Sequence, residues 1–204
     1  MTSIALIDYG AGNLRSVAKA LEEVGAQVTI TDRPEDLAEA DKLVLPGVGS
    51  FGDGMSALVA RGLVEPIQAE AAAGKPLLGI CLGMQLLLQE SEEMGRHKGL
   101  GLLPGHVHRF PENKLKVPHT GWNQLWPTME SPLLDGIAVG SYAYFNHSYY
   151  CEPADQVVAA RTDYGFRFAS ALWHENIYGL QFHPEKSQEV GLAMLDNFVQ
   201  GSDR

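Results

Sequence analysis

The sequence predicts a three-layer α/β/α fold with a mainly parallel central sheet and an antiparallel extension. Two features of the chain point there. In the first half, short apolar runs alternate with stretches of helical periodicity, as strand-helix-strand units require. From residue 96 to residue 182 the texture changes to short aromatic and β-branched runs cut by Gly, Pro and Asn, which predicts hairpins. With 204 residues and 45 % hydrophobic content, the chain can bury one sizeable core, so residues 1–204 are expected to form a single domain.

Taken in order, residues 3–8, 27–31, 42–45 and 76–80 read as the parallel strands. Between the first two, Leu14, Val17, Ala18, Leu21 and Val24 recur at helical spacing, and Gly25 offers a stop. A second helical pattern covers residues 55–73, kinked or broken near Pro66. A third follows Cys81 through Leu86, Leu87 and Leu88. The chain closes on a helix carrying Val190, Leu192, Ala193, Leu195 and Phe198, then a short polar tail.

Fifteen basic against 25 acidic residues give a net charge of −10, which repels polyanions and argues against nucleic acid or an acidic membrane surface as partner. The amino terminus lacks the basic start of a secretion signal, and no apolar run approaches the roughly 20 residues that span a bilayer. A soluble, cytoplasmic protein is expected. The two cysteines, Cys81 and Cys151, lie far apart without a CxxC pair, so both should be free thiols.

The sharpest chemical feature is Gly79-Ile80-Cys81-Leu82-Gly83, between an apolar strand and a helical leucine run. It has the form of a nucleophile elbow with cysteine in place of serine. Such an elbow needs glycine two residues either side, because Cβ atoms would collide in the sharp strand-to-helix turn. The turn exposes the sulfur, the start of the helix favours its thiolate, and the Leu82 N–H points where an oxyanion would form. Near the end of the chain, Gly179-Leu180-Gln181-Phe182-His183-Pro184-Glu185 places a histidine and a carboxylate two residues apart. In an extended segment these face the same side, so Glu185 can hold the imidazole while His183 reaches a nucleophile. Pro46-Gly47-Val48-Gly49-Ser50 follows the third strand as a loop of high backbone freedom, and an N–H of Val48 or Gly49 could supply a second oxyanion donor.

Other segments carry less. Gly10-Ala11-Gly12-Asn13-Leu14-Arg15 begins like a dinucleotide fingerprint, but Arg15 stands where a third glycine belongs. His106 and His108 alternate on a strand-like segment without further metal ligands and read as solvated strand histidines. Cys151 reads as structural. No metal or organic cofactor is called for.

With Met84-Gln85 and the segment from Gln181 to Ser187, the elbow resembles the triad-type glutamine amidotransferases across nearly the whole chain. Within that family, Lys116-Val117-Pro118-His119-Thr120-Gly121-Trp122-Asn123, Tyr144-Phe145-Asn146-His147-Ser148-Tyr149 and Tyr9-Gly10-Ala11-Gly12-Asn13-Leu14 are similar to glutaminase subunits of imidazole glycerol phosphate synthase. Asn146 departs from the small apolar residue the family usually carries there. The resemblance implies a Cys81, His183 and Glu185 triad that hydrolyses L-glutamine. It implies that Gln85, the backbone around Gly49, Ser148 and Tyr149 hold the glutamine. Asn13, Trp122, Asn123 and Lys186 would face a (β/α)₈-barrel synthase subunit in a heterodimer, to which ammonia passes through an internal channel. A glutaminase of another pathway, a non-catalytic module of the same fold and a general cysteine hydrolase are the alternatives. The segment from Pro118 to Asn123 argues against the first, glutamate formation with a barrel partner would exclude the second, and activity on peptides or esters without glutamine preference would mark the third.

Overall fold

The computed structural model describes residues 1–111 and 115–201. Along the first half run Ser3–Ile7 (β1), Leu14–Glu23 (α1), Gln27–Thr31 (β2), Pro34–Glu39 (α2), Lys42–Leu45 (β3), Phe51–Ala60 (α3), Val64–Ala72 (α4), Leu77–Ile80 (β4) and Leu82–Leu86 (α5). The second half is built of Glu90–Ser91 (β5), His97–Lys98 (β6), Gly105–Arg109 (β7), His119–Gln124 (β8), Trp126–Pro127 (β9), Tyr142–His147 (β10), Tyr149–Pro153 (β11), Val158–Asp163 (β12), Arg167–His174 (β13) and Ile177–Leu180 (β14), and Gln188–Gln200 (α6) follows.

One mixed sheet runs β2-β1-β3-β4-β14-β13-β11-β7-β5-β6, with β12 branching from β13 and β9 pairing with β12. The pairings from β2 to β14 are parallel, and β13 turns the sheet antiparallel. β8 and β10 form a separate antiparallel ribbon. The inner parallel strands β1, β3 and β4 are buried on both faces, as strands covered by helices on both sides must be, while the edge strand β2 is largely exposed. Ile4, Leu6, Val44, Leu78 and Ile80 point into one cluster with α1 and α6, while Ala5, Ile7, Leu43, Leu45 and Leu77 point into another with α2, α3, α4 and α5. Those are the three layers, and each fully buried leucine contributes about 2 kcal/mol.

The four parallel strands and the closing helix stand where the periodicity places them, within a residue or two at their ends. Three details differ. The helix expected over residues 55–73 is two helices: α3 starts at Phe51, where Ser50 caps it by accepting the Asp53 N–H, and the break falls at Gly62, whose φ is +65°. Pro66 sits harmlessly in the first turn of α4, where a missing N–H costs nothing. α2 carries a proline at its start and one buried residue, Leu37, too little periodicity to register. On α6 the buried face is Gly191, Met194, Leu195, Phe198 and Val199 rather than one containing Ala193.

Candidate active site

β4 ends at Ile80 and delivers Cys81 into the turn that opens α5. Cys81 has φ +55° and ψ −110°, a conformation L-residues rarely adopt, and such backbone costs about 1–3 kcal/mol. The flanking glycines permit it. A Cβ on Gly79 would lie 2.7 Å from the Gly83 carbonyl oxygen, and one on Gly83 only 1.7 Å from the Leu45 carbonyl oxygen. The Cys81 N–H donates to the Leu180 carbonyl at 2.7 Å, tying the elbow to β14. Its side chain is 6 % exposed.

β14 stops at Leu180, and the chain reaches His183 in extended form before a 3₁₀ turn over Pro184–Lys186. Glu185 therefore meets His183 from a turn rather than along a strand. The result is the expected pairing: His183 Nδ1 donates to Glu185 Oε1 at 2.9 Å, with both side chains buried. The backbone of His183 is fixed as well. Its N–H donates to Tyr144 O at 2.9 Å, and the Ser187 hydroxyl donates to its carbonyl while accepting the Tyr144 N–H. Burial works to lower the His183 pKa, but its hydrogen bonds to Cys81 and Glu185, and their charges, hold it up at about 10. The imidazole is thus protonated at neutral pH between a sulfur and a carboxylate.

The loop after β3 lies across the elbow. The Leu82 N–H donates to the Gly47 carbonyl at 3.3 Å, so the donor expected to meet an oxyanion is engaged. Gly49 has φ +110° and open space around it, and Val48 is half-exposed. Beside the sulfur is a cavity of about 250 Å³ lined by Val48, Gly49, Gln85, Ser148 and Tyr149, and also by Glu93. Glu93, a residue not expected here from the sequence, is the one carboxylate among the described residues of this lining, and its Oε2 accepts the Phe51 N–H at 2.6 Å. Nothing in its sequence context marks it.

Beneath the cavity runs a buried polar chain. Asn123 Nδ2 donates to His119 Nε2 at 3.2 Å, His119 Nδ1 lies 2.9 Å from His147 Nε2, and His147 Nδ1 lies 2.7 Å from the Tyr149 carbonyl. A carbonyl only accepts, so His147 carries its proton on Nδ1, His119 donates to it, and both rings are neutral. Desolvation accounts for this, lowering His119 to about 4 and His147 to about 3. Gln85 donates to Tyr149 O at 3.2 Å and to Gln181 Oε1 at 3.1 Å, and Gln181 Nε2 reaches Cys81 Sγ at 3.9 Å. Gln85, expected to hold substrate, lines the cavity and is itself fixed by these bonds. Both histidines belong to the family-like segments, yet the sequence gives them no role, because residues 28 positions apart announce no contact.

Of the residues expected to face a partner, Asn13, Trp122 and Lys186 are exposed, and Lys186 Nζ stands 5.8 Å over the Tyr144 ring. Asn123 is half-buried and spends its amide on His119 and the Asp163 carbonyl. Asn146 is exposed on β10, accepts the Thr120 hydroxyl and lines the cavity beside Cys81, so its departure from the family falls at the site and not in the core. His106 and His108 pair with Glu90, Glu92 and Glu152 on the sheet surface, and Cys151 is buried, its thiol pushed up by desolvation. No described helix is long and apolar enough to cross a membrane.

The glutamine amidotransferase class-I family matches residues 5–201. Imidazole glycerol phosphate synthase subunit HisH of Syntrophotalea carbinolica is 54 % identical over 96 % of this chain and 98 % of its own. The same subunit of Methanothermobacter thermautotrophicus is 53 % identical over 97 % and 98 %. Among solved structures, PurLQS from Thermotoga maritima superposes with a TM-score of 0.77 at 22 % identity, covering all of both chains, which supports the fold alone. With the elbow, the buried histidine and carboxylate, and this likeness in hand, the chain belongs to the class-I glutamine amidotransferases, in the HisH subunit family.

Proposed function

We propose that this chain, acting as one glutaminase domain, hydrolyses glutamine to glutamate and ammonia through a Cys81 thioester. It supplies the ammonia to the cyclase subunit of imidazole glycerol phosphate synthase in histidine biosynthesis. The observation that carries the mechanism is the buried His183–Glu185 pair, Nδ1 to Oε1 at 2.9 Å, held beside the Cys81 elbow by the pairing of β14 with β4. Cys81 attacks as the thiolate. As the sulfur bonds the amide carbon, its negative charge is lost, the support it gave the imidazolium vanishes, and His183 passes its proton to the departing nitrogen. The neutral imidazole then takes a proton from water, whose oxygen attacks the thioester carbonyl and releases glutamate, while Glu185 keeps the ring aligned.

In this reading the substrate lies in the cavity beside Cys81, its ammonium against Glu93 and its amide oxygen toward Leu82 and the Val48–Gly49 peptide. At rest the Gly47 carbonyl holds the Leu82 N–H, so full activity requires that carbonyl to move. Free ammonia is protonated near neutral pH, so a channel to a (β/α)₈-barrel partner docked near Asn13, Trp122 and Lys186 completes the site.

The test pairs two measurements. An electrophilic glutamine analogue should label Cys81, read by peptide mass; a label elsewhere with Cys81 free overturns the assignment. Cys81→Ala should abolish glutamine-dependent synthesis by the complex while added ammonium still supports it. Loss of both activities contradicts the division of labour.

A further inference from the structure

We propose that the Tyr9 hydroxyl is a latch for the loop carrying Gly47: it receives the Gly47 carbonyl when that carbonyl leaves Leu82, and so keeps the Leu82 N–H free for the oxyanion. The proposal rests on the reading of Leu82 as an oxyanion donor. Tyr9 follows β1 and is 1 % exposed, its ring within the cluster that holds Leu45, Phe51 and Leu82. Its Oη has no hydrogen-bond partner among the described residues. A buried hydroxyl left unpaired is costly, and phenylalanine would fill the same space without that cost.

The position of the oxygen gives it a use. A Cβ built on Gly47 would lie 2.0 Å from Tyr9 Oη and 3.0 Å from Leu82 Cβ, so the hydroxyl rests directly against the backbone of the residue whose carbonyl now holds the Leu82 N–H. A Cβ added to Gly12, whose φ is +128°, would lie 3.6 Å from the Gly47 Cα, so the loop after Tyr9 passes beside the same residue. Gly47 and Gly49 flank the Val48 peptide and allow it to turn. At rest Leu82 is bonded and Tyr9 is not. In the turned state the Tyr9 O–H donates to the Gly47 carbonyl and Leu82 is free. The number of hydrogen bonds is equal in the two states, so a modest push on the loop decides between them. Desolvation and the neighbouring Cys81 charge both raise the Tyr9 pKa, which keeps the hydroxyl protonated as the donor the latch needs.

The experiment compares wild type and Tyr9→Phe in complex with the cognate synthase subunit and its ligand. Loss of one hydrogen bond from the turned state alone should lower stimulated kcat about tenfold, with the glutamine KM within about twofold. The unfolding midpoint of the isolated chain should be unchanged or raised, since an unpaired buried hydroxyl has been removed. Full stimulated kcat in Tyr9→Phe overturns the latch, and so does a lowered unfolding midpoint or a change in KM alone, either of which marks a packing residue. Labelling of Cys81 by the glutamine analogue is run on both proteins. If wild type is not labelled there, the reading of the site fails; if it is and kcat is unmoved, only the latch fails.

Discussion

At the scale of single residues, the site depends on groups held where they are costly. Cys81 sits in a strained turn, and His183 keeps a proton in surroundings that would remove it, because Cys81 and Glu185 outweigh burial. Glu93 is a further charge with two uses, since it caps the start of α3 through Phe51 and faces the cavity. Replacing it with Gln keeps the shape and a hydrogen-bond acceptor but removes the charge that would meet a substrate ammonium. Glu93→Gln is expected to raise the glutamine KM about tenfold or more, the scale of one charged hydrogen bond, with kcat changed far less. Steady-state kinetics of the complex would show it, and an unchanged KM would remove Glu93 from the substrate site. Cys81, His183 and Glu185 are all legible in the sequence, because glycine spacing and an i, i+2 pair are local patterns. Glu93 is not, since it meets the elbow only through folding of the segment beyond α5.

At the scale of elements, β8, β10 and β11 are joined beneath the cavity by the His119 and His147 pair. Their neutral forms are required by the direction of the hydrogen bonds, and protonation of either ring sets two donors against each other. A histidine whose folded pKa is depressed binds its proton later than in the unfolded chain. Stability is therefore complete above about pH 6.5 and is lost as the pH falls toward about 4 and 3. Urea unfolding at pH 7 and at pH 4.5 should show wild type losing stability by on the order of 2 kcal/mol per histidine beyond what a His119→Asn, His147→Asn variant loses. Equal losses in the two proteins would exclude the pair as the acid-sensitive element. Helix and strand type are readable along the first half because apolar periodicity there is strong. The ends of α3 and α4 are not, because Gly62 at positive φ ends the first helix before Pro66 can.

At the scale of the whole molecule, the first half of the chain supplies the elbow and the second half, through β14, supplies the histidine and carboxylate. The sheet joins them by placing β14 beside β4, with Gly179 opposite Gly79. The same arrangement leaves Trp122 exposed on the β8–β10 ribbon, the ribbon that fixes the His183 backbone through Tyr144. A partner seated on that face would press on elements one step from His183 and, through Asn13, on the loop beside Gly47. Adding the synthase subunit with its ligand should therefore raise glutaminase turnover about tenfold or more, the scale of an ordinary coupling between sites. Equal turnover with and without it would mean that the Gly47 carbonyl is not the restraint. The sequence by itself determined the fold class and singled out Cys81, His183 and Glu185, the residues proposed as nucleophile, base and orienter, because each is written in spacings of a few residues. Only the tertiary structure decided that the Leu82 donor is engaged at rest, that Glu93 faces the cavity and that two histidines share a proton line. Those contacts join segments distant along the chain, and apolar burial, not local pattern, brings them together.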